Sequence, residues 1–104
     1  MAKFVLVYRG GSGMAAPEDQ QAAMEAWMNW FGTLGDAVVD PGSPFGPSAV
    51  VSPDGSTGAS GPSGLTGYSI VAADSVDEAT TKAKGCPVLS DGGTVEIYEA
   101  LPIG

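Results

Sequence analysis

The stretch from Ser43 to Gly67 constrains this chain more than any other: sixteen of its twenty-five residues are Gly, Pro or Ser. Such a composition disfavours a helix and suits a flexible linker. Within it, however, "SAVVSPDGST" has an apolar centre and an Asp-Gly turn. It reads as a strand through Ser52 followed by a hairpin-like excursion on Asp54-Gly55. The return from Thr57 to Thr66 carries too few apolar residues for more than an exposed loop. Regular structure must therefore gather on either side of this segment.

On the N-terminal side, Lys3 to Arg9 ("KFVLVYR") is β-branched and aromatic and reads as a strand. Phe4, Leu6 and Tyr8 share one of its faces, Val5 and Val7 the other, so both faces call for cover. Pro17 opens a helix, because its missing N–H is one of the donors a helix start leaves unpaired anyway. Glu18 and Asp19 follow in the first turn, where the helix dipole favours carboxylates. Met24, Trp27, Met28, Phe31 and Leu34 form an apolar stripe at spacings of three and four, with Trp30 at its edge. Gly35 ends the helix, and "DAVVD" (36–40) forms a short strand stopped by Pro41.

On the C-terminal side, "GYSIVAA" (67–73) is a strand with Tyr68 and Ile70 on one face and Val71 on the other. Ser75 and Glu78 then make a capping box at the start of a helix whose buried stripe is Val76, Ala79, Thr80 and Ala83. Lys82 and Lys84 sit at the negative end of its dipole. Gly85 stands where a left-handed residue closes a helix, and Pro87 prevents continuation. Cys86, the sole cysteine, falls between them. A helix C-terminus disfavours a thiolate and the chain has no histidine to activate one, so the thiol is a structural contact. In "TVEIYEA" (94–100), Val95 and Ile97 face inward and Glu96 and Tyr98 face away.

Composition narrows the function. Twelve acids against four bases give a net charge of -8 over 104 residues, the length of a single domain, residues 1–104. Four scattered bases (Lys3, Arg9, Lys82 and Lys84) cannot line a phosphate track, so neither nucleic acid nor an anionic membrane is an expected partner. No apolar run suits a membrane span or a signal peptide, and one cysteine precludes an internal disulfide. A cytoplasmic location is expected. "GSGMAA" (11–16) matches the pattern of a dinucleotide fingerprint, but Pro17 starts the helix after the motif rather than inside it, so no cofactor is expected. No metal site is expected either, since histidine is absent and the acids are scattered.

The order strand–helix–strand–strand–helix–strand is the split βαβ arrangement, an α+β, ferredoxin-like fold with two helices on one face of a four-stranded antiparallel sheet. Phe4, Leu6, Tyr8, Tyr68 and Ile70 are expected on the bare face, where an apolar patch calls for a partner. A second copy, giving a homodimer through sheet faces, is the expected one.

Four segments carry a resemblance over nearly the full chain: "FVLVYRGG", "LGDAVVDPG", "SGPSGLTGYSIV" and "SVDEATTKAKGCPV…GGTVEIYE". In these the chain resembles the YciI-like family, also called YCII-related or DGPF-domain proteins, among the dimeric α/β barrels. "SGPS" (60–63) stands where that family has Asp-Gly-Pro-Phe, so only Gly61 and Pro62 match. The resemblance would place a candidate His–Asp pair near Met24 and Thr33, neither of which transfers a proton at neutral pH.

Three functions stay open: a small-molecule-binding homodimer, a small-molecule enzyme of isomerase or decarboxylase type using Tyr, Asp or Arg, and a regulatory interaction domain. A ligand pocket is expected between the first helix and the sheet, near the loop from Pro41 to Pro47, with Tyr8, Arg9, Trp30 and Tyr98 as its wall. Arg9, the one guanidinium, would suit a carboxylate. No catalytic residue is assigned.

Overall fold

The computed structural model describes residues 2–10, 17–59 and 64–102. The glycine-rich motif at 11–16 and the "SGPS" segment at 60–63 lie outside the described residues. Four strands, β1 (Ala2–Arg9), β2 (Val38–Pro44), β5 (Leu65–Ala73) and β6 (Thr94–Ala100), make an antiparallel sheet in the order β2-β5-β1-β6. Two short strands, β3 (Val50–Val51) and β4 (Thr57–Gly58), form a separate hairpin, and two helices, α1 (Pro17–Leu34) and α2 (Val76–Ala83), complete the element order. The architecture is α+β and compatible with a ferredoxin-like fold.

The middle stretch is more ordered than its composition implies. Asp54 accepts hydrogen bonds from the Ser56 amide (2.9 Å) and hydroxyl (2.7 Å), and Gly55 takes a positive φ of 87°. The Ser52 and Gly55 amides close the turn, so Val50 pairs with Gly58 and Val51 with Thr57. The expected strand through Ser52 is thus only two residues long, and Thr57–Gly58 pairs where a loop was expected. The second strand also runs past its expected stop. Asp36 and Ala37 belong to a 3-10 turn, whereas Pro41 lies inside β2. Proline is tolerated there because β2 is an edge strand and its register with β5 is interrupted between Asp40 and Ser43.

The two faces of the sheet differ from expectation in one decisive way. Phe4, Leu6 and Tyr8 lie beneath the helices in the core, alongside Ser69, Val71 and Ala73. Only Tyr68 and Ile70 of the five expected residues remain on the uncovered face. Cross-strand pairing is the reason: Tyr68 stands opposite Val7 and Ile70 opposite Val5, and directly opposed residues share a face. Glu96 and Tyr98 oppose the same two valines from β6. The molecule spans 19 Å in its shortest dimension, the thickness of one sheet and one helix layer.

Helix α1 is also rotated from its expected setting. Met24 and Met28 are 64% and 66% exposed, whereas Trp30 is only 6% exposed and belongs to the core. The inward line is Ala23, Trp27, Trp30 and Leu34, an equally good helical spacing. Trp30 settles the choice by donating its indole N–H to the Lys82 carbonyl at 3.2 Å, near the end of α2, where that carbonyl also accepts the Gly85 amide at 3.4 Å.

At the start of α2, Ser75 accepts from the Glu78 amide (3.1 Å), the first half of a capping box, whereas Glu78 accepts from the Asp74 amide (3.2 Å), one residue before the N-cap, and not from that of Ser75. Its end departs from expectation. Gly85 does not adopt the left-handed conformation. Glycine gives room there: a Cβ would stand 3.2 Å from the Trp30 ring, which would have to shift by a few tenths of an ångström. Cys86 is buried and starts the 3-10 turn Pro87–Asp91.

Replacing Trp30 by Phe keeps an aromatic ring but leaves the Lys82 carbonyl with only its longer bond from the Gly85 amide. It should lower stability by about 0.5–1.5 kcal/mol, read as a lower urea midpoint with an unchanged denaturation slope.

Candidate functional site

A cavity of about 420 Å³ opens between α1 and the sheet, beside the Pro41–Pro44 part of β2. Its walls follow from the two structural choices just described. The rotation of α1 turns Trp27 and Phe31 toward it, and the phase of β1 puts Tyr8 on its floor. The Tyr8 and Trp27 rings meet edge to face at 5.0 Å, and Trp27 continues to Phe31 at 5.9 Å. The result is an aromatic wall.

The floor is polar and closed. Tyr8 donates its hydroxyl to Ser69 Oγ at 2.7 Å, and Ser69 donates to the Pro41 carbonyl at 2.7 Å. Ser69 is 1% exposed, at the centre of β5 on its helix-facing side. The Pro41 carbonyl reaches it because of the Asp-Pro-Gly sequence: the Gly42 amide bonds back to Asp40 Oδ1 at 2.8 Å and Gly42 takes φ 77°. A Cβ on Gly42 would stand 1.8 Å from the Tyr68 carbonyl oxygen, so only glycine fits the bend. At the rim, Thr66 donates its hydroxyl to the Gly10 carbonyl at 3.1 Å.

None of the cavity's described lining residues carries a charge. Burial pushes the Tyr8 phenol well above its ordinary range, partly offset by the bond to Ser69. Burial likewise pushes the neighbouring Cys86 thiol up to about 11. Both groups stay protonated at neutral pH, and Cys86 is inert, in keeping with a structural thiol.

Of the four side chains expected together, the structure brings only Tyr8 to the cavity. Trp30 lies in the core behind the wall, bonded to the end of α2 and in edge contact with Trp27 at 5.7 Å. Arg9 and Tyr98 stand on the opposite face of the sheet. There Arg9 Nε donates to Glu96 Oε2 and the Tyr98 hydroxyl donates to Glu96 Oε1. The Tyr98 bond, and then that of Arg9, hold the Glu96 carboxyl below its usual range, and the same bond raises Tyr98. The strand periodicity is the reason for the split, since Arg9 follows Val7 and Tyr98 opposes Val5. Arg9 therefore does not orient a carboxylate in the cavity.

Sequence reasoning placed the pocket beside the segment from Pro41 to Pro47, whose Pro41–Pro44 part does line the cavity, but it missed Ser69 and the role of the Pro41 carbonyl, and it assigned Trp27 and Phe31 to the core. A polar residue in the middle of an otherwise apolar strand, and the Asp-Pro-Gly turn, were the available signals. Among the described residues, no group of His, Cys, Asp or Glu could hold a metal ion, and no helix is long and apolar enough to cross a membrane. No protein-family model and no curated protein matches the chain.

Burial of the thiol has a consequence for alkaline stability. Cys86 loses its proton near 9 when solvated but about 11 when folded, so between those values the unfolded chain binds fewer protons and stability falls as pH rises. Tyr8 acts in the same direction above its ordinary value of 10. Between pH 8 and 10.5 the loss should be about 1–2 kcal/mol from Cys86, read from urea midpoints. Cys86→Ala should reduce the loss without abolishing it.

Proposed function

We propose that the protein is a small-molecule-binding homodimer of the YciI-like type, a ferredoxin-like member of the dimeric α/β barrels that lacks the His–Asp pair. The observation that carries the binding role is the cavity, whose size of about 420 Å³ and aromatic wall around a few converging polar groups are the marks of a ligand site. Binding without turnover is favoured by the chemistry of the floor. The chain contains no histidine, Met24 at the cavity mouth cannot exchange protons, and the Tyr8 phenol is pushed away from neutral pH.

Dimerisation is supported by the uncovered sheet face. Val5, Val7, Tyr68 and Ile70 are partly buried there, Tyr68 against the Phe45 ring at 5.9 Å, the described helices lie on the other face, and Tyr98 is more exposed still. A second copy laid face to face would bury these residues from both sides, as a symmetric interface requires.

Sedimentation equilibrium at micromolar concentration tests the assembly. The expected mass is twice the 10.4 kDa of one chain, and Val7→Asp, which sets a charge in the middle of the patch, should return it to a single chain. A wild-type mass of one chain refutes the dimer. The binding role is tested by calorimetric titration with small neutral aromatics, expected to saturate at one molecule per chain and to fail in Ala23→Phe, which fills the cavity from α1.

A further inference from the structure

The hydrogen-bond direction at the cavity floor specifies the ligand more narrowly than its shape does. A carbonyl oxygen can only accept, so the 2.7 Å contact between Ser69 Oγ and the Pro41 carbonyl commits the single Ser69 proton. Ser69 must then be the acceptor in its 2.7 Å contact with Tyr8, which commits the phenolic proton as well. At the rim, the Thr66 hydroxyl is directed to the Gly10 carbonyl, and the Gly42 amide to Asp40. Pro41 and Pro44, both in the wall, have no N–H to offer. Among the described residues no buried side-chain nitrogen or oxygen lacks a partner, so the side-chain donors open to an incoming acceptor are in the accessible wall, the Ser43 hydroxyl and the Trp27 indole N–H, and not at the floor. Cys86 also meets the Tyr8 hydroxyl, and what the floor retains is the lone-pair capacity left on the Tyr8 and Ser69 oxygens.

Charge acts in the same sense. An anion entering this cavity would shed its hydration for two neutral wall donors, the Ser43 hydroxyl and the Trp27 indole N–H, with no cation among the described lining residues and a net charge of -8 on the chain. A cation would find rings but no carboxylate among the described lining residues. The cost of desolvation therefore selects a neutral molecule.

Building on the small-molecule reading above, we propose that the cavity takes an uncharged, flat aromatic molecule that donates a hydrogen bond to the Tyr8–Ser69 pair: a phenol or an N–H heterocycle, rather than a carboxylate or a ligand that only accepts. The aromatic plane lies against Trp27 and Phe31, and the ligand's O–H or N–H points to the floor. Ser69 acts as a positioning residue. By holding the Tyr8 proton it makes the phenol oxygen an acceptor toward the cavity.

Three matched two-ring probes separate these ideas by isothermal titration calorimetry at pH 7: 2-naphthol, 2-methoxynaphthalene and 2-naphthoate. The expected order of affinity is naphthol, then the ether, then the carboxylate, with about tenfold between the first two for the lost hydrogen bond. Ser69→Ala frees the Tyr8 proton to point into the cavity, so the ratio of naphthol to ether affinity should fall to near one or invert. Folding of that variant is checked by circular dichroism, and the wild-type ranking decides the matter should the variant not fold. Equal binding of naphthol and ether by the wild type, or tighter binding of the carboxylate, overturns the proposed ligand class while leaving the small-molecule role intact. Failure of all three probes to bind overturns the role itself and this inference with it.

Discussion

The hydrogen bond from the Trp30 indole to the Lys82 carbonyl is the constraint on which most of this structure turns. It joins the two helices across 52 positions of sequence and gives the Lys82 carbonyl a shorter bond than the one it accepts from the Gly85 amide. Gly85 accommodates the ring and so belongs to the same device. With Trp30 held there, α1 has one rotational setting. Trp27 and Phe31 face the cavity, and Met28 turns toward water. A helix with apolar residues around much of its circumference needs such a specific bond, because hydrophobic burial alone is non-directional and would accept several rotations.

The sheet divides the chemistry of the molecule between its two faces. Beneath the helices, every described ionisable group is a phenol or a thiol held protonated by burial. On the other face lies the Arg9–Glu96–Tyr98 cluster, where solvent screens the ion pair and its contribution to stability is small. Val5 and Val7 separate the two regimes only by pointing the other way along β1. The uncovered face combines apolar strand centres with a charged margin, the usual anatomy of a surface that meets another protein.

The cavity floor shows how a short polar chain can be buried without a charge. Tyr8, Ser69 and Pro41 pass one direction of hydrogen bonding from the phenol to a backbone carbonyl, and each proton has a partner. A buried hydroxyl left unpaired would cost about 1–3 kcal/mol, so the Asp-Pro-Gly bend that delivers the Pro41 carbonyl is as much a part of the site as the tyrosine.

From its sequence alone the chain determined the number and kind of its main elements. Pro17 and Gly35 bound the first helix, Ser75 and Glu78 start the second, and the β-branched runs form the strands, because each of these signals acts within a few residues. The periodicity within each element was legible as well: Phe4, Leu6 and Tyr8 do share a face, as do Glu96 and Tyr98. Only the tertiary structure decided which face is inside. Strand β1 is apolar on both sides, so no alternation marks its buried face, and the pairing of Tyr68 with Val7 sets it from sixty residues away. The rotation of α1 was undetermined for a similar reason, since Met24, Trp27, Met28 and Trp30 all satisfy a helical spacing. The cavity inherits both choices. Tyr8 was recognisable as a site residue because it ends a strand before glycines, whereas Ser69 and the Pro41 carbonyl acquire a role only through contacts between segments distant in the chain.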